Sequence, residues 1–179
     1  PVRLENYRAP DFAIATVDLT FILDPHATRV TAKLALRPRG GAKDLALIGD
    51  GVKLISVTLD GQPLATNRYV ATPDLLTIRN VPAAPFSITI VTEVDPTANT
   101  RLMGLYRSNG TYCTQCEAEG FRKITYYLDR PDSLSKYRVR IEAPKAGFPH
   151  LLSNGNLLEK GDLPEDKHYA LWEDPFFKQ

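Results

Sequence analysis

From Cys113 to Arg122 the sequence reads CTQCEAEGFR, which places two thiols, an amide and two carboxylates within one short stretch. Three chemistries fit those side chains. A Cys-x-x-Cys pair can do dithiol redox work, it can supply half of a zinc site, or the polar residues between can hold a cationic group. A redox pair of the thioredoxin kind needs a helix N-terminus in a βαβ setting, where the dipole lowers a thiol pKa. No such setting is predicted here. On a strand, Cys113 and Cys116 point to opposite faces with Cα atoms about 10 Å apart, and a disulfide needs less than about 7 Å. The two thiols can bond only if the segment turns. Structural zinc wants four ligands, whereas His26, His150 and His168 are scattered and no H-E-x-x-H occurs. Both cysteines therefore read as small apolar filler. Gln115 and Glu117 are two apart, so on a strand they share a face, about 6.6 Å from each other. An amide oxygen and a carboxylate on one face suit a group with several N–H donors, such as the free ammonium of a peptide N-terminus. The more ordinary reading of the same spacing is the wet face of a strand. Spacing alone leaves those two readings open.

The elements that must position these residues repeat every second residue. Val17, Leu19, Phe21 and Leu23 alternate with Asp18 and Thr20, and Val30, Ala32, Leu34 and Leu36 alternate with Thr31, Lys33 and Arg37. The stretch from Asp24 to Thr28 reads as the turn between them. Ile55, Val57 and Leu59 form a third run that stops at Asp60-Gly61, a hairpin signal. Phe86, Ile88, Ile90, Thr92 and Val94 form a fourth run, and Tyr137, Val139 and Ile141 a fifth. Asn109-Gly110 and Asn154-Gly155 mark further turns. This alternation predicts an all-β, antiparallel domain of roughly eight to ten strands, either a sandwich or a large curved, saddle-like sheet, with little helix. The best helical candidate is DRPDSLSKY, where Pro131 can open a single turn. The basic, Gly-rich stretch at 37–43 reads as a solvated connection, because it lacks the strand-loop-helix context of a phosphate loop.

Composition narrows the classes further. A chain of 179 residues suits one domain. A formal net charge of +1 argues against strong attraction to nucleic acid or an anionic membrane. No apolar run approaches the roughly 20 residues of a membrane helix, and the first residues lack the apolar stretch of a secretory signal. The chain does not open with Met, so a trimmed N-terminus is expected. Two cysteines do not make a disulfide scaffold, and a reducing, cytoplasmic location is the expectation.

The segment YCTQCEAEGFRKITYYLDRPDSLSKY closely resembles part of the bacterial aminopeptidase N family, the alanyl aminopeptidases of the gluzincin class. NYRAPDF, VDLTFILDP, ANTRLMGLYRSNGTYCTQCEAEGFR, LLSNGNL and WEDPF resemble the family's N-terminal domain in the same order, so the likeness runs along essentially the whole chain. The resemblance implies one N-terminal β domain, residues 1–179, that lies against a thermolysin-like catalytic domain absent from this sequence. It implies that zinc belongs to that catalytic domain, with no metal site and no catalytic residue here. It further implies that Gln115 and Glu117 face the cleft and help bind the substrate's α-ammonium, so the expected partners are the catalytic domain and a peptide N-terminus. Glu119 and Arg122 also match, and salt bridging or packing is the reading for them. Met103 and Tyr106 read as core rather than as a side-chain pocket. An alternative of a different class is a stand-alone module that captures peptide N-termini without cleaving them.

Overall fold

The computed structural model describes residues 3–178. Thirteen strands appear among the described residues. In chain order they are β1 (Phe12–Ile22), β2 (Thr28–Pro38), β3 (Leu45–Ile48), β4 (Lys53–Leu59), β5 (Gln62–Pro63), β6 (Tyr69–Thr72), β7 (Leu75–Ile78), β8 (Phe86–Val94), β9 (Gly104–Ser108), β10 (Thr111–Gln115), β11 (Ser135–Pro144), β12 (Asn156–Leu163) and β13 (Lys167–Lys178). Sequence alternation missed the surplus because β3, β5, β6 and β7 have only two to four residues, too few to show a period.

Eight strands form one sheet in the order β12-β13-β11-β1-β2-β8-β4-β5. A three-stranded sheet, β3-β7-β6, faces it, and β9 and β10 make a separate two-stranded ribbon. The all-β expectation holds, with one difference. Strands β1 and β11 pair in parallel, from Thr16 with Lys136 to Ile22 with Glu142. Parallel neighbours need a long crossover, and here that crossover carries most of the chain, including the ribbon and the Cys113–Arg122 segment.

The core lies between the two larger sheets. Val17, Leu34, Ile88 and Ile90 of the large sheet and Leu45, Leu47, Leu76 and Ile78 of the small one are fully buried in a single cluster. Their burial follows the period-two pattern read from β1, β2 and β8. In β4 the pattern breaks. A register shift between Leu54 and Ser56 inserts one residue, so Leu54 packs on the core while Ile55 is 39% exposed. A bulge of this kind flips alternation on one side of it. The opposite face of the large sheet carries charge pairs, among them Arg29–Glu93–Lys53, Arg138–Glu173 and Arg140–Glu142.

The turn signals place well. Asp60 and Gly61 both have positive φ, 47° and 79°, and join β4 to β5 by a two-residue hairpin loop. Asn109 and Gly110 do the same between β9 and β10, with φ of 48° and 85°. At Pro131 the chain makes a turn closed by the Ser133 amide on the Arg130 carbonyl, 3.0 Å, and no helix forms there. The short 3₁₀ turns lie instead at Leu4–Asn6, Thr66–Arg68 and Phe121–Lys123. No helix of the described residues is long and apolar enough to cross a membrane.

Candidate functional site

Strand β10 ends at Gln115, and the chain turns through residues 117–120 before the 3₁₀ turn Phe121–Lys123. Gln115 and Glu117 therefore do not share a strand face, which corrects the sequence expectation. The physical cause is Gly120. Its amide donates to the Cys116 carbonyl at 2.7 Å, and a Cβ at that position would sit 2.7 Å from the Gln115 carbonyl oxygen. Only a residue without a side chain lets the returning backbone lie this close to the strand end. The turn nevertheless brings the two candidates together. The Gln115 side-chain amide donates to the Glu117 backbone carbonyl at 3.3 Å, and both residues are exposed. The Glu117–Ala118 peptide bond is cis. The Glu117 carboxylate makes no ion pair with any described residue. The site thus presents an amide oxygen and an unpaired carboxylate on the rim of one turn.

The turn rests on a fixed base. Arg122 is held by Asp129, which is 2% exposed. One carboxylate oxygen of Asp129 accepts from the Arg122 backbone amide at 3.1 Å and from its Nε at 2.7 Å, and the Asp129 carbonyl accepts from Nη2 at 2.8 Å. The same guanidinium reaches Glu119 at 3.3 Å. The Asp50 amide donates to the Arg122 carbonyl at 2.9 Å, and the Asp50 carboxylate pairs with Lys123 at 2.6 Å. Phe121 packs edge-on against Tyr127 and Tyr137, with ring centres 4.7 and 6.1 Å away. Below it, the Tyr137 hydroxyl donates to that of Tyr127, which bonds Ser135, whose hydroxyl donates to the Ile14 carbonyl. Burial pushes both tyrosine pKa values up, so the chain of hydroxyls stays neutral. Tyr127 also exchanges backbone hydrogen bonds with Ile48 of β3, and Thr92 of β8 donates to the Ile124 carbonyl. Segment 121–127 is thereby tied to both layers of the sandwich.

The segment does turn, as a disulfide would require, but both cysteines are free thiols. Cys116 packs against the core, and burial raises its pKa to about 11. A thiol held that high is protonated at neutral pH and makes a poor nucleophile or ligand. No group of three or more His, Cys, Asp or Glu side chains that could hold a metal comes together among the described residues. Met103 is half-buried beneath the turn, its methyl 3.0 Å from where a Gly120 Cβ would lie, and Tyr106 is half-buried on the neighbouring β9.

The model of the peptidase M1 N-terminal domain matches residues 41–178. The chain belongs to the peptidase M1 N-terminal domain family. This M1 N-terminal domain is 52% identical to aminopeptidase N of Caulobacter vibrioides over 178 residues, 99% of the chain but 20% of that protein. Against aminopeptidase N of Escherichia coli K12 the identity is 47% over 175 residues, 97% of the chain and again 20% of the relative. The chain thus spans about a fifth of the length of these curated relatives. A crystal structure of Legionella pneumophila aminopeptidase A in complex with aspartic acid superposes with a TM-score of 0.92 at 35% identity, covering 99% of this chain and 21% of that one. An M1 zinc metallopeptidase from Deinococcus radiodurans shares the fold, with a TM-score of 0.76 at 15% identity over 92% of the chain and 39% of its own.

Of the residues singled out in the sequence, the M1 N-terminal domain puts Glu117 and Glu119 in one turn, with Gln115 at the strand end before it and Arg122 in the 3₁₀ turn after it. Asp129 was missed. A signal for it exists: it is the first charge after the run ITYYL, and a carboxylate buried at the end of such a run needs a partner.

Proposed function

We propose that this chain is the single N-terminal domain of a zinc-dependent aminopeptidase that removes N-terminal residues from peptides. The domain packs on the catalytic domain of the same protein and supplies Gln115 and Glu117 to hold the substrate's α-ammonium. The observation that carries this reading is the rim of the turn: an exposed, unpaired Glu117 carboxylate beside the Gln115 amide, on a base fixed to both sheets. A primary ammonium has three donors and no acceptor, so a carboxylate and an amide oxygen complement it.

In the whole enzyme the contribution of these residues is register. Holding the free N-terminus fixes the first peptide bond relative to the catalytic groups and disfavours acylated N-termini, and such positioning raises rate as well as affinity. The zinc would be held outside this chain, because no donor set for it exists among the described residues. On this reading the domain alone is expected to bind no zinc and to leave an alanyl substrate uncleaved. The free thiols fit a reducing, cytoplasmic location.

The test is Glu117→Ala in the full-length protein. It should lower kcat/KM for an alanyl chromogenic substrate at least about tenfold, equivalent to 1.4 kcal/mol of transition-state stabilisation. An unchanged kcat/KM removes the assignment.

A further inference from the structure

We infer that Asp129 and Arg122 are positioning residues, a clamp that sets where Glu117 can hold the substrate's ammonium. The inference rests on the proposed role of Glu117. Neither residue reaches the rim itself. Arg122 is two residues past the turn, and Asp129 is buried beneath it.

The geometry distinguishes this pair from the surface ion pairs of the molecule. Exposed pairs such as Lys167–Glu165 hold two flexible side chains in water and contribute little. Here one planar guanidinium carries three jobs. Its Nε meets the buried Asp129 carboxylate at 2.7 Å, its Nη2 meets the Asp129 carbonyl at 2.8 Å, and it reaches Glu119 at 3.3 Å. Glu119 belongs to the same turn as Glu117. The backbone of Arg122 is held as well, its amide by the same Asp129 oxygen and its carbonyl by the Asp50 amide. The guanidinium is therefore an arm from an immobile anchor to the far side of the turn that bears Glu117. The fork of an arginine suits this task because its donors are coplanar and rigid, which a lysine ammonium cannot reproduce. With Asp129 neutralised, the arm loses its charged partner and its hold on Glu119 loosens.

The experiment is a double-mutant cycle in the full-length protein, with KM for an alanyl chromogenic substrate as the readout. KM does not depend on the fraction of molecules folded, so partial unfolding cannot imitate the effect. Asp129→Asn should raise KM about tenfold in an otherwise unchanged protein and less than about twofold in the Glu117→Ala background. Arg122→Lys, which keeps a cation beside Asp129, should follow the same pattern with a smaller rise. An unchanged KM in both variants, or an equal rise in both backgrounds, overturns the clamp and leaves the Glu117 assignment standing. No effect of Glu117→Ala on kcat/KM removes the assignment itself and the clamp with it.

Discussion

Gly120→Ala tests whether the returning backbone, rather than strand geometry, sets the turn that carries Glu117. The added Cβ would lie 2.7 Å from the Gln115 carbonyl oxygen, 2.8 Å from the Cys116 Cα and 3.0 Å from the Met103 methyl. Ordinary contact begins near 3.4 Å, so the gap must open by about 0.7 Å at the first of these atoms. Met103 can rotate away, but the other two atoms are backbone. Gln115 is also pinned by its pairing with Gly104 in β9. The movement falls on the turn. Forcing an extra carbon into a packed site costs about 1–3 kcal/mol. For a domain of this size that lowers Tm by roughly 2–12 °C, at about 2–4 °C per kcal/mol. Gly41→Ala is the internal control. Nothing lies within 4 Å of its Cβ and its φ is not positive, so its Tm should move by less than about 2 °C. The assay is thermal unfolding of both variants beside kcat/KM of the same substitutions in the full-length protein. A Gly120→Ala protein that melts with the wild type and keeps full activity would refute the packing argument.

Further expectations concern thiols, pH and the bulge. Burial of Cys116 predicts that it resists maleimide at pH 7.5 until the protein is denatured; rapid labelling of Cys116 in the native state would contradict this. The same burial sets a pH dependence. Cys116 keeps its proton in the folded state up to about 11, against 9.0 unfolded, so its contribution is present below pH 9 and lost as pH rises from 9 towards 11. Tyr127 and Tyr137, whose pKa values burial also raises, act in the same direction, and denaturant midpoints should fall across that window, with a flat profile counting against it. In β4, Val57→Ala should destabilise by about 1–3 kcal/mol while Ile55→Ala stays within about 0.5 kcal/mol, and equal effects would argue against the bulge.

Alternation in β1, β2 and β8 was sufficient to name the residues that fill the core, because a strand buried on one face must place every second side chain there. Asp60-Gly61 and Asn109-Gly110 likewise marked their hairpins, since few residues accept positive φ at both central positions, whereas Asn154-Gly155 is a bend leading into β12. Gln115 and Glu117 were legible as a pair that could hold a cation, by residue type and by a family likeness. How they meet was not. Strand spacing put them on one face, whereas the molecule ends β10 at Gln115 and joins them through a turn. That turn depends on contacts between residues distant from any local period: Gly120 against the strand end, Asp129 beneath Arg122, Asp50 on its carbonyl. The parallel pairing of β1 with β11 and the Ile55 bulge belong to the same class. The sequence determined which residues are apolar, which can turn and which carry charge or hydrogen-bonding groups. Tertiary packing alone decided which backbone approaches which, because close approach is set by the volume between two layers and not by the order of residues along one chain.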